Sequence, residues 1–126
     1  MSYEMDIKFE DGFLLVEVTG EDNYDVSHEI WMNIAQACEE RDCFNVLGVS
    51  DMTNALATME AYDHQKIFAE AGITLKHRIA WVEKNPEARK MIEFVETVLK
   101  NRNMVNGRVF SDVSEAKNWL LGGRLT

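Results

Sequence analysis

Three runs of consecutive apolar residues constrain this chain most: Phe13-Leu14-Leu15-Val16, Val46-Leu47 and Ile79-Ala80-Trp81-Val82. A strand with one wet face alternates apolar and polar side chains. A strand without alternation is covered on both faces, as in parallel sheets overlaid by helices. Between these runs the apolar period changes to that of a helix. Ile30, Ile34 and Cys38 recur every fourth residue, with Trp31 and Ala35 alongside. That spacing makes one apolar stripe over about four turns. Strands alternating with helices imply crossover connections and a mostly parallel sheet in an α/β fold.

The remaining elements follow from local chemistry. Asp11-Gly12 separates strands over Met5–Glu10 and Phe13–Thr19, since glycine accepts positive φ in a tight turn. Asp25 or Ser27 is the expected N-cap of the first helix. A strand over Phe44–Ser50 runs into a loop from Asp51 to Ala57. Thr58 is placed to cap a second helix over Met59–Ala71, stopped by Gly72. His77–Val82 is the next strand. Asn85-Pro86-Glu87 opens a helix by cap, N-terminal proline and dipole, with Met91, Ile92, Val95, Val98 and Leu99 as its apolar face. A short strand over Gly107–Phe110 follows. Asp112-Val113-Ser114-Glu115 reads as a capping box for a last helix with Ala116, Trp119 and Leu120 inward, ended by Gly122-Gly123. The expected order is β-β-α-β-α-β-α-β-α, with an antiparallel N-terminal edge hairpin and one domain over residues 1–126. If the crossovers keep to one face, the second apolar face needs a cover, which predicts a homodimer.

FLLVEVTG (Phe13–Gly20) with a following Tyr-Asp, NVLGVSDMTN (Asn45–Asn54) and RVFSDVSEAKNWL (Arg108–Leu120) together resemble SpoIIAA-like proteins of the STAS/SEC14 group. The resemblance runs from about Met5 to Leu121. It implies a STAS-like domain that acts by binding protein partners or small ligands, not by catalysis. In the anti-sigma-antagonist branch a serine after the corresponding strand is phosphorylated to switch partner binding. The positions in question are Ser50, Asp51, Thr53, Asn54 and Thr58. Where that branch carries an Asp-Ser-Ser/Thr-Gly type of sequence, this chain reads Asp51-Met52-Thr53-Asn54-Ala55-Leu56.

Charge narrows the classes of partner. The 126 residues carry 22 acidic and 13 basic side chains, a net charge of −9. Nucleic-acid binding needs clustered Lys and Arg to displace phosphate counterions, and an anionic membrane surface asks for the same. Neither partner is expected. No apolar run reaches the ~18 residues of a membrane span. The acidic N-terminus lacks the apolar core of a signal peptide, so the expected location is the cytoplasm. Cys38 and Cys43 have no histidine at metal-ligand spacing and read as reduced thiols; no metal or cofactor is expected.

Two candidate sites emerge. The first is the loop Ser50, Asp51, Thr53, Asn54 and Thr58, at the carboxyl end of a central parallel strand. That edge is where open α/β sheets bind ligands, and the following helix N-terminus offers N–H groups to an anion. It is read as the recognition surface for a protein partner. The second is an apolar pocket of Met32, Met52, Met59, Phe68 and Trp81, suited to a lipid-like ligand because Met packs irregular shapes. No catalytic residues are expected. His28, His64 and His77 fall in no hydrolase or metalloprotease motif, although folding could bring His28 or His77 beside Asp51.

Overall fold

The computed structural model describes residues 3–122. The chain runs β1 (Tyr3–Glu10), β2 (Phe13–Gly20), α1 (Tyr24–Arg41), β3 (Asn45–Met52), α2 (Thr58–Tyr62), α3 (His64–Ala71), β4 (Arg78–Glu83), α4 (Pro86–Asn101), β5 (Asn106–Phe110) and α5 (Val113–Leu120). One five-stranded sheet holds the strands in sequence order, β1-β2-β3-β4-β5. β1 and β2 pair antiparallel across the Asp11-Gly12 turn, with Glu10 opposite Phe13 and Gly12 at φ +90°; the other three pairings are parallel. This is the expected α/β order with its antiparallel edge. Gly123 lies outside the described residues.

The sheet has two apolar faces, and β2 shows how they arise. Leu14, Val16 and Val18 point into a core shared with α1 (Val26, Ile30, Ile34, Cys38), α3 (Ile67, Phe68) and α4 (Ala88, Val95, Leu99). Phe13 and Leu15 point the other way, into a smaller core with Leu47, Ala80 and Val82. Each crossover steps one strand in the same direction. Connections of one hand therefore stack their helices on one face. Among the described residues α5 alone, through Ala116 and Leu120, covers the second face, over the β3–β5 side. The apolar residues that pointed to a second copy of the chain are thus covered largely from within, with Leu15 and Val49 half-buried at the margin.

Local differences from the sequence reading have identifiable causes. α1 is capped by Asn23, whose side chain accepts from the Val26 N–H, and not by Asp25 or Ser27. The expected second helix is two: α2 breaks at Asp63, and there the His64 ring bonds back to the Glu60 carbonyl. The N-cap of α2 is Ala57, not Thr58. Asp51 and Met52 continue β3 instead of opening a loop, because their backbones stay in register with Thr19 and Gly20 of β2. Asn85 caps α4 as expected, and Asp112 caps α5 by accepting from the Glu115 N–H. Cys38 is fully buried and neither cysteine is in a disulfide.

Candidate functional site

The polar residues of interest gather at the carboxyl ends of β2, β3 and β4. Glu83 ends β4 on the face of Ile79 and Trp81, and is 0% exposed. A buried carboxylate is tolerable only when its oxygens are hydrogen-bonded. Here the Ser50 hydroxyl donates to one oxygen, and the N–H groups of Met52 (2.9 Å) and Asn85 (3.1 Å) donate to the other. The Trp81 indole N–H donates to the Ser50 hydroxyl at 2.9 Å. The Asn85 amide donates to the Met52 carbonyl at 2.7 Å, which ties the end of β3 to the cap of α4.

Asp22 lies beside this network in the β2–α1 loop. Ser27 donates to its carboxylate at 2.8 Å. Its backbone is held by Asn54: the Asp22 N–H donates to the Asn54 side-chain oxygen, and the Asn54 amide donates to the Asp22 carbonyl, both at 2.9 Å. Burial pushes the Asp22 carboxyl up from 3.8 to about 6; the nearby Glu83 and Glu60 charges push the same way, against the Ser27 hydrogen bond. His64 is buried, and desolvation lowers its pKa.

These residues border a cavity of about 70 Å³ between the sheet and α1, α3 and α4. Asp22, Ser27, Ser50, His64 and Glu83 line one part; Trp31, Trp81, Phe68 and Met52 supply apolar wall. Of the five residues expected to form an apolar pocket, Met52, Phe68 and Trp81 are at this wall. Met32 and Met59 are not. Met32 sits one residue, about 100°, round α1 from the buried Trp31 and faces solvent at 41% exposure. Met59 is 63% exposed on α2. Lipid-sized ligands need roughly 300 Å³ or more, so the cavity is too small for one.

The loop residues divide as well. Ser50 is 3% exposed and its hydroxyl is engaged on both sides, which removes it from any surface role. Asp51 is exposed. Thr53 bonds the Gly20 carbonyl through its N–H (2.8 Å) and hydroxyl (3.2 Å). Asn54 is the clamp on Asp22, and Thr58 is exposed at the first turn of α2. Two expectations about this edge need correction. The strand order never reverses, so the crevice of a topological switch point does not form. α2 has five residues, and the Glu60 carboxylate already accepts from the Ala57 N–H at its start, so that helix end is not an anion site. The histidines lie apart from Asp51: His28 pairs with Glu70 at 2.9 Å, and His77 precedes β4 at the opposite edge of the sheet and accepts from the Thr74 N–H. Among the described residues no group of three or more His, Cys, Asp or Glu is arranged to hold a metal ion.

Asp22, His64 and Glu83 were not singled out from sequence as site residues. Glu83 was legible: it is two residues from Trp81 and four from Ile79, so the strand period aims it at the same covered face.

No family model matches the chain, and no curated protein does. Solved structures do. A crystal structure of an anti-sigma factor antagonist from Mycobacterium paratuberculosis superposes with a TM-score of 0.60 at 17% identity, covering 95% of each chain. An uncharacterised protein with a SpoIIAA-like fold from Shewanella loihica gives a TM-score of 0.51 at 18% identity, covering 94% of this chain and 93% of that one. With one sheet in sequence order, four crossover helices on one face and a terminal helix on the other, the chain has the SpoIIAA-like fold.

Proposed function

We propose that this chain is a non-catalytic STAS-like binding module that recognises a protein partner through the β3–α2 loop and α2. The observation that carries this reading is the exposure of Met59 (63%) and Tyr62 (36%) on a one-turn helix beside the exposed Asp51, Thr53 and Thr58. A large apolar side chain held in water next to polar groups is the composition of a protein contact. The likeness to an anti-sigma factor antagonist supports the same reading. Asn54 and Ser50 serve it indirectly, Asn54 by tying the loop to Asp22 in the β2–α1 connection and Ser50 by tying the end of β3 to β4.

The test is retention of the partner on immobilised protein. Asp51→Ala and Met59→Ala should each weaken retention about tenfold, the effect of losing a contact worth roughly 1.4 kcal/mol. Glu40→Ala, at the far end of α1, should leave it unchanged. Equal retention by all three variants would remove the proposed surface.

A further inference from the structure

The β2–α1 and β3–α2 connections meet at the carboxyl end of the sheet. Asp22 and Asn54, 32 residues apart, hold each other by hydrogen bonds of 2.9 Å, backbone N–H to side-chain oxygen and side-chain amide to backbone carbonyl. The Glu60 carboxylate spans the same junction: one oxygen accepts from the Ala57 N–H at 2.9 Å and the other from the Tyr24 N–H at 3.3 Å. The segment that carries Asp51, Thr53 and Met59 is therefore fastened to the start of α1. The acid inside this fastening is Asp22, half-buried and lining the cavity. Its carboxylate accepts from the Ser27 hydroxyl at 2.8 Å. The charges that bear on it are those of Glu83 from β4 and Glu60 from α2, both negative. His64 of α3, Glu96 of α4 and Arg108 of β5 line the same cavity, and desolvation favours the neutral ring of His64. Among the described residues no Lys, Arg or His is ion-paired with Asp22.

We infer that this junction is a pH-gated clamp: it is closed while the Asp22 carboxyl carries a proton, and it opens locally as that carboxyl ionises. Ionised, Asp22 is a partly desolvated charge facing two others of the same sign, with the Ser27 hydroxyl and the Asn23 backbone as its donors. Parting the two connections admits water to the carboxylate and draws it away from Glu60. Closed, the carboxyl titrates at about 6; open and hydrated, it returns to its ordinary 3.8. The closed form thus holds a proton that the open form releases. Closure is fully favoured below 3.8 and weakens as the pH rises through about 6. With those two values the opening constant grows about tenfold between pH 5 and pH 7.5. One consequence rests on the surface reading above: the recognition segment is fixed at acidic pH and looser at neutral pH.

The experiment is amide hydrogen exchange on the full chain at about pH 5 and pH 7.5, with each rate corrected for the intrinsic effect of pH on exchange. Protection of the Asp22 N–H, a donor in the clamp, should fall about tenfold over that interval in the native chain and stay within about twofold in Asp22→Asn. At both pH values it should lie at least about a hundredfold below that of the core Val16 N–H, since local opening is more frequent than global unfolding. Carboxyl carbon spectra give the reciprocal readout. Asp22 should titrate near 6, and Asn54→Ala, which removes the clamp, should move it towards 3.8. Level protection in the native chain, an equal fall in Asp22→Asn, or an Asp22 midpoint unmoved by Asn54→Ala would overturn the proposal. So would equal protection of the Asp22 and Val16 amides, the mark of a chain that opens only as a whole. None of these readouts uses a partner, so failure here leaves the proposed surface standing, and loss of that surface leaves the clamp standing.

Discussion

The Asp22 carboxyl, raised by burial to about 6 against 3.8 in water, makes stability depend on pH in a definite direction. Between those values the folded chain holds a proton that the unfolded chain releases. The contribution is therefore fully present below 3.8 and is lost as the pH rises through about 6. His64 and His77 act oppositely: burial lowers both, so their contribution is present above 6.5 and declines as the pH falls. The native curve is the sum of these, and Asp22→Asn isolates one part. We expect this variant to be more stable than the native chain near neutrality by an amount on the order of 2 kcal/mol, with the gain vanishing towards pH 4. Urea unfolding of both proteins across that range checks it; a gain independent of pH would contradict the assignment. Asp22 itself was readable only as a polar residue ahead of a helix. Its burial depends on Asn54, which is 32 residues away in the chain.

Among the elements, β3 and β4 show how one residue shapes a pairing. Gly48 and Trp81 are cross-strand neighbours, and a Cβ at position 48 would collide with the six-membered ring of the Trp81 indole. The glycine is the space in which that indole lies, and the indole in turn reaches Ser50. Gly48→Ala should cost about 1–3 kcal/mol, the usual range for overpacking, and move the fluorescence of Trp81. A change below about 0.5 kcal/mol, a surface-like value, would mean that the ring can step aside. At this scale local chemistry was a good guide where caps and turns decide: Gly12 in the hairpin, Asn85-Pro86 at α4, Asp112 at α5. It was a poor guide between Thr58 and Ala71. The apolar spacing there suits one helix, yet the chain breaks at Asp63, where the His64 ring bonds the Glu60 carbonyl.

For the molecule as a whole, the decisive feature is that the strands lie in the order in which they are made. All four crossover helices then fall on one face, and α5 must close the other. The small core of Phe13, Leu47, Ala80, Val82, Ala116 and Leu120 is what holds that lid. Leu120 is 2% exposed, and Leu120→Ala should lose about 2–4 kcal/mol, as for deletion of a buried leucine from a packed core. Denaturant unfolding will measure it. A loss under about 1 kcal/mol would show α5 to be a loose appendage, and the second face to be available to a partner after all.

The chain's own spacing of residues determined the element order, the antiparallel edge, both helix caps from Asn85 onward and the covering of the sheet on two sides. Those properties depend on neighbours a few residues apart, where backbone period and side-chain reach act directly. The tertiary structure alone decided which polar groups meet. Asp22 with Asn54, Ser50 with Glu83, and His64 at the wall of the cavity are contacts between loops and strand ends that strand order brings together. Local pattern carries no record of strand order, because every right-handed β-α-β step looks the same in sequence whichever strand it ends beside.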